Sequence, residues 1–464
     1  MAQQSDTVGI PKRLPLVALP ANRDDSTGKD ARMVNCYAER APEGDYYIYK
    51  RPGLLESATY SASGVGRGLY NWRGDVYAAF GGTLYKNGAS IGSVSSAGVY
   101  HFSENLGGTP SLFLDNLTNA YEWDGTTLTQ VTDGDFPTNR VPGSAYLDGT
   151  TYVGTVPAKL NGSDIDDVLA WDALNVLTAR IEADRGVAVA KQLVYVIFFK
   201  EWTTEVFYDA QNITGSPLGA VQGAKVTYGC ANGESVQSID DTLLWLSTTR
   251  SAQVQVIMMT GLKAEVVSTP PIERLLDNVV LTTVYSWLLK DEGHTFYVVT
   301  SVEANLTLAF DLRERIWSQW TDADGNYLPI IASTFTSDKL HLVQHATNGK
   351  VYLMDRGYYN DNGSVITVDL YTPNWDGGVD RNKHMAMLRV NADIERSSIL
   401  QVRHNDHDYD PARWSRFRSL DLSRERPMLS DLGSFRRRAH NFRHQSNTAM
   451  RLKSVDYQLD LGTL

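Results

Sequence analysis

Cysteine, charge and long apolar runs are all scarce in this 464-residue chain. The two cysteines, Cys36 and Cys230, lie far apart, which matches no zinc or redox motif and excludes a disulfide framework, so we expect two small buried side chains. No run of about 18 apolar residues occurs, which excludes a membrane-spanning helix. Residues 1–25 lack the apolar stretch of a signal peptide. We therefore expect a soluble protein with no membrane insertion of its own, made in a reducing compartment.

The sequence also lacks the motifs of familiar enzymes. It contains no Gly-x-Ser-x-Gly, no phosphate-binding Walker loop, no His-Glu-x-x-His and no sialidase-type Asp box. The carboxylate pairs Asp166–Asp167 and Asp240–Asp241 are adjacent, so on a strand their side chains would point to opposite faces. We therefore expect no catalytic residues, no cofactor and no enzymatic activity.

What is abundant favours β-structure: 10% aromatic residues and 37 glycines, with only 21% charged residues. Residues 66–94 read as short strands separated by turns at 73–75, 81–82 and 87–88. Asn-Gly and Gly-Gly supply the positive φ that two-residue hairpin loops need. Arg-Gly-Asp at 73–75 also matches an integrin-type tripeptide, but we interpret it as an ordinary hairpin turn.

Comparable units recur from residue 66 to 355 at about the 40-residue spacing of propeller blades. This predicts an all-β fold with a β-propeller of about six to seven blades, although a flat sandwich could give the same strand count. Within it we predict a buried strand at 193–199, a connecting segment at 164–185 and a short helix at 270–276 that begins at a Thr-Pro pair.

Composition divides the chain into three predicted segments: an N-terminal extended segment and hairpin (1–60), the propeller (61–360) and an arginine-rich C-terminal β domain resembling a sandwich (361–464). Residues 381–453 contain 16 Lys and Arg against 8 Asp and Glu, which gives this segment a net charge of +8. The remainder contains 27 Lys and Arg against 46 Asp and Glu, which gives a net charge of −19. An acidic body binds phosphate poorly, because phosphate affinity comes from Lys and Arg.

The most basic run, 435–444, supplies four candidate interface residues, Arg436, Arg437, Arg438 and Arg443. Regular strand alternation would place Arg436 and Arg438 on one face and Arg437 and Arg443 on the other. Nucleic-acid contact, docking on an acidic protein face, and an edge strand protected by its charge remain alternative interpretations.

Two clusters of acidic or histidine residues are candidate metal sites. At 404–410, His404, Asp406 and Asp408 would share one face of a strand, so a divalent metal is one interpretation and a solvated loop before Pro411 is the favoured one. Residues 322–326 resemble the start of a calcium loop, but the glycine comes two places early and the required glutamate is missing. We predict a polar turn there.

Short motifs follow one another along nearly the whole chain. They are Val34-Asn35-Cys36-Tyr37, Arg51-Pro52-Gly53-Leu54, the Gly-Gly-Thr-Leu-Tyr-Lys at 81–86, the Thr-Glu-Val-Phe-Tyr at 204–208, Tyr228-Gly229-Cys230, the Pro-Ile-Glu-Arg-Leu-Leu at 271–276 and the Asn-Gly-Lys-Val-Tyr at 348–352. With the arginine-rich strand, they resemble the packaged-DNA stabilisation proteins of short-tailed phages (podoviruses), also called tail nozzle or tail hub proteins. Residues 1–30 and 376–435 match least.

The resemblance implies a propeller subunit of a homohexameric ring below the portal and its tail adaptor protein. The ring would extend the DNA channel, retain packaged double-stranded DNA, guide its ejection and carry a tail fibre or tailspike. The implied location is the virion tail, after assembly in the host cytoplasm. As a hypothesis, the acidic propeller lines or surrounds the channel and residues 381–453 dock on a neighbour.

Two functions of other classes stay open from the sequence. A carbohydrate-binding or carbohydrate-active propeller would use the plentiful Tyr, Trp and Asp residues, and a glycosidase would need two carboxylates across one cleft. A nucleic-acid-binding module would use the basic segment.

Overall fold

The computed structural model describes residues 12–17, 31–248, 250, 253–378 and 381–461. Most of residues 1–30, predicted as extended, therefore lies outside the described residues. Five strands precede the repeated units: β1 (Lys12–Arg13), β2 (Arg32–Val34), β3 (Cys36–Arg40), β4 (Tyr46–Lys50) and β5 (Gly53–Glu56). Strands β3 and β4 form a hairpin, while β1, β2 and β5 each pair with strands from much later in the chain.

Six blades follow, each containing four consecutive antiparallel strands. Blade 1 is β6 (Gly66–Trp72), β7 (Asp75–Phe80), β8 (Thr83–Lys86) and β9 (Ala89–Ser93); blade 2 is β10 (His101–Asn105), β11 (Ser111–Asp115), β12 (Ala120–Trp123) and β13 (Leu128–Gln130); blade 3 is β14 (Arg140–Leu147), β15 (Thr150–Thr155), β16 (Lys159–Asp164) and β17 (Asp167–Thr178). Blade 4 is β18 (Gly186–Gln192), β19 (Tyr195–Lys200), β20 (Thr204–Asp209) and β21 (Leu218–Val226); blade 5 is β22 (Gln237–Ile239), β23 (Thr242–Thr248), β24 (Val254–Thr260) and β25 (Lys263–Val266); blade 6 is β26 (Val284–Asp291), β27 (His294–Ser301), β28 (Leu306–Asp311) and β29 (Ile316–Gln319).

Within the described residues, three short helices lie in the connections between blades 4, 5 and 6. The predicted helix is confirmed as α1 (Pro270–Leu276), which begins after Thr269 with proline in its first turn. Two 3₁₀ helices, Gly233–Ser235 and Leu281–Thr283, precede blades 5 and 6. Ile272 and Leu276 of α1 are buried in the hydrophobic cluster shared by blades 5 and 6, so the helix fills the space between them.

The seventh blade closes the ring with an N-terminal strand. Strands β30 (Ile330–Phe335), β31 (His341–His345) and β32 (Val351–Asp355) pair in order, and β5 takes the fourth position with Leu54 opposite Met354. The first strand of each blade lines one central cavity, and β30 contacts β6. Within the described residues the predicted propeller is thus confirmed, and the sheets give it seven blades.

Two local predictions in blades 3 and 4 need correction: the first was wrong, and the second is confirmed except for its start. The predicted connecting segment at 164–185 contains the 12-residue strand β17, whose pairing with β16 is interrupted by bulges that disturb the period-two pattern. The predicted strand at 193–199 begins later, because Leu193, at φ +53°, and Val194 form the turn between β18 and β19. Apolar residues at an exposed turn gave this segment the appearance of a longer buried strand.

Glycine allows two blades to approach closely at the cavity wall. Gly143 in β14 has a φ of +83°, and a Cβ there would lie 2.0 Å from the backbone oxygen of Val189 in blade 4. The turn glycine of blade 1, Gly74, follows Arg73 with both at positive φ, which confirms the predicted hairpin turn.

Ten further strands follow the propeller: β33 (Asn360–Asp361), β34 (Ser364–Val365), β35 (Val368–Tyr371), β36 (Lys383–Ala392), β37 (Ile399–Asn405), β38 (Arg418–Asp421), β39 (Met428–Ser430), β40 (Ser434–Phe435), β41 (Ala439–His444) and β42 (Arg451–Leu461), with a 3₁₀ helix at Pro411–Arg413. Strands β33 and β34 extend the sheet of blade 7. The order β2-β35-β41-β37-β38 extends the sheet of blade 6, and β42 and β36 join β1, β3, β4, β39 and β40 in another sheet.

These last two sheets share one hydrophobic core. Met33 and Phe442 from one sheet and Cys36 and Leu388 from the other belong to the same buried cluster. The N-terminal and C-terminal strands therefore form a common unit beside the propeller. The three predicted segments remain a prediction as domains, and the sheets cross their boundaries.

Candidate interface and central channel

The predicted arginine strand is interrupted where its charge is highest. Strand β40 ends at Phe435, Arg436 and Arg437 lie in a bend, and Arg438 forms an isolated bridge with Trp375 before β41 begins. The side chains of Arg436 and Arg437 are exposed, whereas Arg438 is only 1% exposed. The alternation predicted from sequence was wrong here, because it assumed regular strand geometry across the bend.

Arg438 and Arg443 already have carboxylate partners within the chain. Arg438 makes a two-bond contact with Asp406, at 2.7 and 2.8 Å, and its guanidinium lies 4.2 Å from the centre of the Phe435 ring. Arg443 binds Asp369 in the same way, with both bonds at 2.9 Å. The interface role of all four arginines stays a prediction, but these ion pairs leave Arg436 and Arg437 as the more accessible two.

Residues 404–410 are tied into the same region by other bonds. Asp406 holds Arg438, and His404 Nδ1 lies 3.2 Å from the Ser415 hydroxyl. Burial, reinforced by the positive charge of Arg438, lowers the pKa of His404 to about 4. Across the described residues, no three His, Cys, Asp or Glu side chains are arranged to hold a metal ion.

The polar loop at 322–326 is a turn, as predicted. The Asp322 carboxylate accepts hydrogen bonds from the backbone N–H groups of Asp324 and Asn326, at 2.9 and 2.8 Å. An aspartate that bonds to nearby backbone in this way stabilises a turn without any ion.

The two sheets that contain N-terminal and C-terminal strands are called the terminal sheets below. A buried polar junction, which sequence reasoning missed, joins them to the propeller. Arg51 is 1% exposed; its guanidinium binds both oxygens of Asp361 at 2.5 and 3.0 Å, Asn35 Oδ1 at 2.9 Å and the Thr321 carbonyl at 2.8 Å. Asn35 also donates to the Thr367 carbonyl at 2.8 Å. These residues follow β2, β4, blade 6 and blade 7, so one cluster connects four parts of the chain. Asn35 and Arg51 belong to the motifs that carried the family resemblance, but no local pattern signals their burial.

The propeller encloses a central channel of about 560 Å³. Its wall combines aromatic and polar side chains, including Tyr70, which stacks on Phe102 with ring centres 5.4 Å apart. His101 of blade 2 and Glu234, just before blade 5, meet with Nε2 and Oε1 3.1 Å apart. Glu234 lies in the 3₁₀ connection at 233–235, which also packs against the first strands of blades 3 and 4, so the connection itself extends into the lumen.

The contact between His101 and Glu234 favours the protonated, charged form of His101. Burial lowers the pKa of His101, but the carboxylates of Glu234 and Asp115 together raise it above its ordinary value of 6.5. The connection therefore places a locally charge-balanced ion pair inside the lumen.

Both cysteines are buried thiols, as predicted. Burial raises the pKa of each, that of Cys230 to about 12. Cys230 also lies 3.2 Å from the Asn232 carbonyl oxygen.

No helix in the described part of the chain has the length and apolar content to cross a membrane.

Solved structures with similar folds match at low scores. The computationally designed Ika8 protein matches with a TM-score of 0.40 and 10% identity, over 65% of this chain and 99% of that one. A streptogramin B lyase matches with a TM-score of 0.39 and 7% identity, over 66% of this chain and 97% of that one. BamB from Moraxella catarrhalis matches with a TM-score of 0.39 and 12% identity, over 75% of this chain and 97% of that one. Similarity at this level carries no argument about function. No curated protein matches the chain.

The family comparison is more informative. The model of the phage stabilisation family, described as Bacteriophage P22 Gp10, beta-propeller, matches residues 29–356. This region begins just before β2 and ends just after β32, so it includes the closing strand β5 and every propeller blade. The match covers well over half of the sequence, and the chain therefore belongs to this family of phage structural β-propeller proteins.

Proposed function

We propose that this protein is the nozzle, or hub, subunit of a short-tailed phage tail. In this role it forms a homohexameric ring below the portal and its adaptor, extends the DNA channel, retains the packaged DNA, guides its ejection and anchors a tail fibre or tailspike. It performs this role without enzymatic activity. Family membership supports the structural part, and the size of the propeller cavity supports placing the DNA outside a single propeller.

The main observation is the small size of the cavity inside the propeller. A cavity of about 560 Å³ has the size of a small-molecule site, and the His101–Glu234 pair lies within it, so we infer that a DNA duplex does not pass through a single propeller. A subunit that guides a duplex must therefore guide it along its outer surface. A closed channel of that kind requires several copies around a common axis, which is the arrangement of a cyclic oligomer.

The charge distribution suits a wall along which DNA slides. Outside residues 381–453 the chain carries −19, which disfavours tight phosphate contact. The basic segment, with Arg436 and Arg437 exposed, then serves to dock on an acidic neighbour and not to bind the duplex.

A solution mass measurement tests the ring. Light scattering of the wild-type protein, alone and with the adaptor protein, should show a stable hexamer or adaptor-dependent assembly. Reversing the bend charges with R436E/R437E should weaken assembly, while R185E, at an arginine 72% exposed on blade 4, should leave it unchanged. A protein that stays monomeric alone and with the adaptor would contradict the proposal.

A further inference from the structure

Exposed apolar side chains gather on one face of the propeller. In blades 2 to 5 this face carries two turns from each blade: the turn between the first and second strands and the turn between the third and fourth strands. We call this set of turns the turn face. Its exposed apolar residues are Leu106 (55% exposed), Ile165 (75%), Leu193 (57%), Val194 (62%), Ile213 (100%) and Leu262 (38%). Single exposed apolar residues are ordinary, but a continuous group indicates a contact surface.

The turns of the turn face touch one another. A Cβ on Gly107 in blade 2 would lie 2.4 Å from the Asp166 carboxylate in blade 3, and one on Gly149 would lie 3.0 Å from Ile165. Gln192, beside Leu193 in blade 4, donates to the Asp241 carbonyl in blade 5 at 2.7 Å. Lys191 of blade 4 lies over the Tyr146 ring of blade 3, so the turns of neighbouring blades contact one another from blade 2 to blade 5.

This surface is also acidic. Its carboxylates without an ion-pair partner among the described side chains are Asp124, Asp148, Asp164, Asp166, Asp167, Asp209 and Asp241. The neighbouring Asp209 raises the pKa of Asp148, which shows that like charges are held close together. Lys191, which lies over the Tyr146 ring, and Lys263, which directly follows the β24–β25 turn, are cations within the same area. A partner must therefore offer several positive charges together with apolar contact.

The same chain carries a surface with these properties. The arginine end of the C-terminal strands presents Arg416, Arg418, Arg436 and Arg437, all exposed. Arg418 donates to the Ser430 carbonyl at 2.7 Å, which places it beside the loop that Arg438 also holds through Leu432. Arginine stems cover apolar surface while their charged ends reach carboxylates, and arginine is enriched in protein interfaces.

We propose that the turn face is the docking surface for the arginine end of a second copy of this chain. The inference rests on the proposed ring and assigns its subunit contact. Charge complementarity favours this occupant, since the two surfaces are opposite in sign and lie on different parts of one molecule. A contact between two different surfaces of identical subunits is head-to-tail, and such contacts generate rings when the rotation closes.

The test uses variants of the full chain whose fold should survive. L193N/I213S removes the apolar contact, and asparagine tolerates the positive φ at 193 better than leucine does. D209K/D241K removes the charge contact. The matched control V302S/E303K makes the same kinds of change in the exposed turn between β27 and β28, outside the turn face. Sedimentation velocity across a range of concentrations measures assembly, and circular dichroism checks the fold.

Each turn-face variant should raise the protein concentration needed for assembly by about tenfold or more, the effect of losing one good contact, while the control should assemble like wild type. D209K/D241K combined with R436E/R437E in one chain should regain assembly, because both surfaces have exchanged sign. Wild-type-like assembly of both turn-face variants would overturn the docking assignment and leave the proposed ring standing. A wild type that never assembles, even with the adaptor, would overturn both.

Discussion

Replacing Arg51 with methionine should separate the stability of the terminal sheets from that of the propeller. The guanidinium is buried and binds Asp361, Asn35 and the Thr321 carbonyl, which lie next to different sheets. Methionine keeps the apolar stem but leaves Asp361, whose side chain is 11% exposed, without its counter-ion. Removing one partner of a buried ion pair costs about 3–5 kcal/mol.

Differential scanning calorimetry is the appropriate assay, because a chain of this size need not unfold in one step. We expect R51M to show an early transition for the terminal sheets, lowered relative to wild type, followed by the propeller. A double-mutant cycle compares D361N in wild type with D361N in R51M. D361N should lower the free energy of unfolding by about 0.5–3 kcal/mol less in R51M than in wild type.

The matched control is R185M, which removes an arginine that is 72% exposed and paired with Glu201. Exposed ion pairs contribute about 0–1 kcal/mol, so its thermogram should resemble that of wild type. If R51M unfolds at the same temperature and in the same number of transitions as wild type, the junction does not hold the two units together and the reasoning is refuted.

Three further predictions concern the channel, a blade contact and the thiols. Because the pKa of His101 is raised in the folded state, the His101–Glu234 pair should stabilise the fold below pH 6.5 and lose that contribution as the pH rises through the folded pKa. Urea unfolding should therefore show that E234Q lowers the free energy of unfolding by up to about 1 kcal/mol at pH 6 and by less at pH 8.5. G143A, which places a Cβ 2.0 Å from a backbone oxygen at positive φ, should lower stability by about 1–3 kcal/mol, and a melting temperature equal to wild type would contradict this. Cys36 and Cys230 should resist alkylation at pH 8 in the native protein and react in urea, whereas rapid native labelling would contradict their burial.

The regular part of the fold could be predicted because its signals are local. Blade 1 was recognised from Asn-Gly and Gly-Gly turns between aromatic strands, and α1 from a Thr-Pro start. The same rules failed at Leu193 and Val194, where apolar residues occupy an exposed turn, and in β17, where bulges break the alternation.

The long-range parts could not be predicted from local patterns. Nothing near β5 indicates that it completes a blade formed 300 residues later, and nothing near Arg438 indicates that Asp406 neutralises it. The four arginines looked equivalent in sequence, but burial separates Arg438 from Arg436 and Arg437. Such differences depend on sheet packing between distant segments, which periodicity does not encode.

Electron microscopy of the purified protein mixed with the portal and its adaptor tests the central claim most directly. We predict a ring of six propellers directly below the adaptor, with a central opening between subunits that is wider than the channel inside each propeller. A complex of portal and adaptor without such a ring, or with single copies bound at separate positions, would contradict the proposed function.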